Sequence, residues 1–181
     1  MKITRFGNPI LRQAARQLQI DEIKRSEIQK LITDMQNLNE AKELGVGLAA
    51  PQVGSSVALA IIDIKPTKLR PNVEPYTAII INPNYKGIGR RQSMWEGCLS
   101  SGLGKETLFA KALRYKTIEA SWLDEHGVPC SQKLFGLPAQ VFQHETDHLH
   151  GVLFVDKVRD TTTYMVADEY QARIKNIKNK P

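Results

Sequence analysis

Between residues 21 and 43, apolar side chains recur at Ile28, Leu31, Ile32, Met35 and Leu38. That spacing lines one face of an amphipathic helix, and Gly45 follows as a stop. Residues 57–64 and 77–81 are β-branched runs bounded by Gly, Pro or Asn, and residues 115–123 alternate loosely before a turn at 124–127. All three predict strands. A second helical pattern opens at Leu137-Pro138, where proline suits a first turn, carries Val141, Phe142 and Leu149, and stops at Gly151. Asp160-Thr161 is the expected cap of a last helix through Tyr164, Val166, Tyr170 and Ile174. The order helix, strands, helix, helix lacks the regular alternation of a parallel sheet, so the pattern predicts an α+β fold with mainly antiparallel strands.

The chain has 181 residues, of which 41% are hydrophobic and 24% charged, which predicts a single globular domain over 1–181 able to bury a core without disulfides. The longest apolar stretch, residues 57–64 with Asp63 inside it, is too short to span a bilayer, and the N-terminus lacks an apolar leader. No membrane association is expected. The two cysteines, Cys98 and Cys130, make no disulfide framework, which fits a reducing cytoplasm. The net charge of +6 gathers at Arg90-Arg91 and at Lys175, Lys178 and Lys180. Without aromatic interleaving or a motif, these read as solvated surface rather than a specific nucleic-acid site.

The sharpest chemical signal lies on the second helical pattern, Gln143-His144-Glu145-Thr146-Asp147-His148-Leu149. Histidines four apart stack on one helix face, so His144 and His148 can both reach one metal ion. Glu145 can then act on a water at that ion without being a ligand, as metal-assisted hydrolysis requires. Unpaired His and Glu on so apolar a helix would be costly, which weighs against a chance arrangement. The third ligand decides the enzyme class. A metzincin would need a third His where this chain has Phe154. A gluzincin would use a Glu on a later helix, and Glu169 is available there. The remaining candidate is Cys98 in Glu96-Gly97-Cys98-Leu99-Ser100, which would leave one coordination position open.

Three segments together resemble the peptide deformylases: Gly45-Val46-Gly47-Leu48-Ala49-Ala50-Pro51-Gln52, then Glu96-Gly97-Cys98-Leu99-Ser100, then the helix carrying His144 and His148. They occur in the family's order, and Arg5-Phe6-Gly7-Asn8-Pro9-Ile10-Leu11 and Gly151-Val152-Leu153-Phe154 extend the likeness over nearly the whole chain. The resemblance implies antiparallel sheets packed around a central metal-binding helix, and removal of the N-formyl group from the initiator methionine of nascent polypeptides. It implies Cys98, His144 and His148 around one divalent ion, natively Fe(II), with Zn, Ni or Co able to substitute. It further implies Glu145 as general acid/base, the Gln52 amide and Leu99 N–H facing the developing oxyanion, and Gly47 pairing with substrate backbone. Glu96 and Asp147 are expected to support the ligands. Contact with the ribosome through the basic tail and a bacterial rather than organellar cytoplasm complete the reading.

The sequence departs from the family after Ser100, where an apolar residue and proline are usual and Ser101-Gly102-Leu103-Gly104 stands instead. Residues 101–114 are about four longer than usual if Arg114 and Ile118 match the family's pattern. Two glycines predict a mobile loop bordering the substrate side-chain pocket, with consequences for methionine selectivity.

Overall fold

A computed structural model of the chain describes residues 1–41, 45–68 and 70–178, the side chains of 175–178 excepted. The first expected helix is two. A four-residue α1 (Ile20–Ile23) is tied at its start by the Gln19 N–H donating to Glu22 Oε2 at 2.8 Å. Extended Arg25 then separates it from α2 (Ser26–Glu40). The expected extension of that helix to residue 43 runs into 42–44, outside the described residues.

The strands are β1 (Gly47–Ala49), β2 (Leu59–Ile64), β3 (Tyr76–Gly97), β4 (Leu108–Leu123) and β5 (Pro129–Phe135), all antiparallel and hydrogen-bonded in sequence order. A turn in which the Asp124 N–H donates to Val128 O joins β4 to β5. β3 is far longer than the five residues expected of it. Its middle, residues 88–93, is exposed on both faces, so pairing with β4, not a buried face, makes that stretch a strand. Register shifts at Ile81/Asn84 and Ile88/Arg91 bend it, with Asn82 (φ 49°) and Gly89 (φ 76°) taking the left-handed positions that such bulges need.

The helix α3 (Leu137–Leu149) packs against this sheet, touching all of β1 to β5. The alternation of β2 divides the core: Ile62 and Ile64 pack with Ile118, Phe142 and Leu149 under α3, while Leu59 and Ile61 pack with Ile32 and Met35 of α2. The expected last helix begins late. Asp160 caps only the 3-10 turn Thr161–Thr163, because Met165 and Val166 instead pair with Leu108 and Phe109 of β4 as β6 (Met165–Val166). Helix α4 (Ala167–Lys178) follows. No helix among the described residues is long and apolar enough to cross a membrane.

Candidate active site

Helix α3 is buried on almost every face, and its polar residues are inside the protein. It starts from Gly136 at φ +65° with Pro138 in the first turn, and it ends before Gly151 at φ +72°. A Cβ on Gly151 would lie 2.7 Å from the Arg12 carbonyl, so space and dihedral both demand glycine. Gln143 locks the helix to β4. Its amide donates to Tyr115 O and Ala139 O, both at 2.8 Å, and accepts from the Tyr115 N–H at 2.9 Å.

Cys98 follows β3 directly and meets the two histidines. The Sγ, and one ring nitrogen from each of His144 and His148, all lie within 4.8 Å of one another. Cys98 Sγ is 3.3 Å from His148 Nε2. Ligand atoms sharing a tetrahedral ion at ~2.0–2.3 Å stand about 3.3–3.6 Å apart, so the spacing fits one ion. The donor set, one thiolate and two imidazoles, suits Fe, Zn, Ni or Co.

A buried charge network orients His144. Its Nδ1 is 3.0 Å from Glu96 Oε2, which turns Nε2 toward the cluster. Glu96 is also held by Arg114 Nε at 2.6 Å and by Nη2 at 3.0 Å, and the third arm of Arg114 reaches Asp147. Gln140 donates to Glu96 Oε1 at 3.3 Å and to Trp95 O at 2.8 Å. Burial alone would raise the Glu96 carboxyl, but the Arg114 charge and the hydrogen bonds from His144 and Arg114 outweigh it and hold the pKa at about 2. Burial would likewise lower Arg114, and its two carboxylates raise it instead. His148 has no such carboxylate, and burial pushes its imidazole well below the usual value. His144 goes the other way, because contacts with Cys98 and Glu96 overcome burial.

Glu145 stands apart from this network. Its Oε2 is buried with no hydrogen-bond partner among the described residues, and burial raises its pKa to about 7. Gly47, on the outer edge of the sheet, leaves room for it. A Cβ there would sit 2.5 Å from Glu145 Oε1, so the close approach that requires glycine is to Glu145. Gln52 is fixed by the Ala49 N–H, which donates to Oε1 at 2.8 Å, so that Nε2 points toward Cys98 Sγ at 3.5 Å and Ser100 Oγ at 3.2 Å. Leu99 is half-buried beside Cys98, and no acceptor among the described residues meets its N–H. Gly47, Gln52, Cys98, Leu99, His144 and Glu145 line one cavity of about 490 Å³.

The structure departs from two expectations, the Glu169 alternative and the single loop over 101–114, and agrees with the exclusion of a metzincin site. Glu169 is exposed on α4 and does not join the metal cluster, so the gluzincin arrangement fails on geometry. Phe154, at the metzincin third-ligand position, is instead a buried wall beside Cys98 and 6.2 Å from the His144 ring. The segment 101–114 is not one long loop either. Residues from Leu108 onward belong to β4, and Ser101 Oγ binds Cys98 O at 2.7 Å and the Leu108 N–H at 3.0 Å. A Cβ on Gly102 would lie 2.1 Å from Glu106 O, so that glycine serves tight packing. Of this segment only Thr107 and Phe109 line the cavity.

The sequence motifs pointed to Glu96 and Asp147 as supports, but not to Arg114 as the cation joining them or to Gln140 and Gln143 as their neighbours. Arg114 carries a faint signal: it sits in the buried alternation of β4 with Ala110, Ala112 and Ile118. An arginine in such a row must meet carboxylates.

The family model described as polypeptide deformylase matches residues 1–164. The chain is 35% identical to a peptide deformylase of Aquifex aeolicus, covering 96% of each chain. It is 37% identical to peptide deformylase 2 of a Nostoc species, covering 98% of this chain and 97% of the relative. Among solved structures, the peptide deformylase of Synechococcus elongatus in complex with actinonin superposes with a TM-score of 0.74 at 31% identity, covering all of this chain and 87% of that one. A Met-Ala-Ser-bound class I type b enzyme from Acinetobacter baumannii gives 0.80 at 26% identity, covering 87% of this chain and 98% of that one. With Cys98, His144 and His148 brought together and the match running across the fold, the chain belongs to the peptide deformylase family.

Proposed function

We propose that Cys98, His144 and His148 hold one divalent ion, natively Fe(II), and that the chain acts through residues 1–181 as one catalytic unit removing formyl groups from N-formylmethionyl nascent chains. The observation that carries this reading is the meeting of Cys98 with the two α3 histidines beside an unpartnered Glu145. The ion supplies Lewis acidity to the formyl carbonyl and the attacking water. Glu145 takes a proton from that water and delivers it to the amine nitrogen as the C–N bond breaks, releasing formate and a free amino terminus. A carboxyl held near 7 by burial is matched to both transfers. Gln52 Nε2 and the Leu99 N–H donate to the oxygen that gains negative charge. Gly47, on the free edge of β1, lets the substrate backbone pair alongside while leaving Glu145 in reach.

The relatives' bacterial sources support action in a bacterial cytoplasm. The net charge of +6 favours approach to the ribosome where nascent chains emerge. The expected contact through Lys175, Lys178 and Lys180 falls outside the described side chains. Anaerobic purification with metal analysis, then parallel assays of formate release from a formyl-Met peptide and of internal peptide cleavage, tests the whole reading. Iron at about one per chain with formate release alone is expected; internal cleavage without formate release would overturn it.

A further inference from the structure

The cavity that holds Cys98, His144 and Glu145 is not closed by β-strands alone. Its far wall is built from α4, through Tyr170, Gln171 and Ile174, and from Arg70 in the segment between β2 and β3. Helix α4 is seated there by aromatic packing. Tyr170 stacks on Phe109 at 4.3 Å and 13° between planes and lies 5.4 Å from Trp95, whose ring Arg173 covers at 5.6 Å. Arg70 is fixed from its own backbone, its N–H donating to Thr67 O at 2.9 Å and its carbonyl accepting from the Thr67 N–H at 3.2 Å. The guanidinium is half-buried in the cavity wall, and no carboxylate among the described residues pairs with it. Arg114, the arginine buried behind this site, is by contrast neutralised by Glu96 and Asp147. Burial lowers the Arg70 guanidinium and raises the Tyr170 phenol, each change opposed by the neighbouring group, so the two side chains share one microenvironment.

We propose that Arg70 and Tyr170 form a carboxylate-binding subsite that selects peptides carrying negative charge downstream of the formyl-methionine. A half-buried guanidinium with no counter-ion among the described residues favours an anion strongly, since the Coulomb attraction is little screened and the fork of donors matches a carboxylate. The Tyr170 hydroxyl supplies an additional donor beside it. The edge of β1 on the same cavity orients an extended peptide, whose side chains and terminus must then pass this wall. The carboxylate can come from an Asp or Glu side chain at the second or third residue or from the free terminus of a short peptide.

This inference rests on the deformylase reading, so binding is measured beside turnover. Metal-loaded protein is given formyl-Met-Ala-Ser and formyl-Met-Asp-Ser, each as free acid and as C-terminal amide, and the deformylated forms are titrated by calorimetry. Wild type should prefer each anionic peptide over formyl-Met-Ala-Ser amide by about 5–10-fold in kcat/KM and in Kd. Whether the amidated Asp peptide or the free-acid Ala peptide gains more identifies the source. Arg70→Gln should erase the preference while changing turnover of the neutral amide less than about twofold, and Tyr170→Phe should reduce it in part. An undiminished preference in Arg70→Gln, or an equal loss on all four peptides, would overturn the subsite. Discrimination in binding that depends on Arg70, with no formate from any peptide, would leave the subsite standing and count against the reaction.

Discussion

Two regions flank the metal cluster, and they are built on opposite principles. Behind it, Glu96, Arg114, Asp147 and Gln140 form a closed set in which each charge meets its partner away from water. In front of it, the cavity wall is assembled from three separate parts of the chain, Arg70, Thr107 with Phe109, and Tyr170, the last stacked on Phe109. The rear network can do only one thing, which is to hold His144 and the helix register. The front wall can vary without disturbing the ligands. On the proposed reading chemistry and selectivity are thereby separated in space, and substitutions on the two sides should fail in different ways.

Cys98→Ala should give the largest effect: loss of most bound metal on gel filtration and loss of formate release with it, because two histidines alone hold a divalent ion poorly. Cys130→Ala, outside the cluster, should keep both. Arg114→Met attacks the rear network and removes the main counter-ion of two buried carboxylates, which costs about 3–5 kcal/mol. A fall in Tm of about 6–20 °C is expected by calorimetry; an unchanged Tm would show that the network is not a support.

Gly47→Ala tests the passage between the two regions. The new methyl group would meet Glu145 Oε1 at 2.5 Å, so kcat should fall by about 10–100-fold with metal content retained, as expected when a proton-transfer group is displaced. Equal kcat would mean Glu145 is not confined by β1. The smallest effect is expected from replacing residues 101–104 with an apolar-proline pair. None of them lines the cavity, so relative kcat/KM across first-residue side chains should move less than about twofold, while the Gly102 packing contact makes stability the quantity that responds.

The metal site was legible because its residues are few, chemically distinctive and two of them share a helix. His144, Glu145 and His148 follow from helical spacing, and Cys98 followed from its flanking motif once the third ligand was sought. Long-range pairing was not legible. Residues 88–93 of β3 show no apolar alternation because neither face is buried there, and Met165 and Val166 are strand only because Leu108 and Phe109 offer an edge. For the same reason the helical spacing of Tyr164 and Val166 misled. Arg70 and Tyr170, exactly 100 positions apart, acquire meaning only when the fold brings them to one cavity.

The central claim is that Glu145 performs proton transfer in a site whose metal is held by other residues. Glu145→Gln keeps the size of the side chain and cannot accept a proton. Formate release from formyl-Met-Ala-Ser should fall by about 10²–10⁴-fold while metal per chain and Tm stay at the wild-type value. Near-normal turnover with a full metal site would contradict the account, as would loss of the metal, which would make Glu145 a ligand or its essential support.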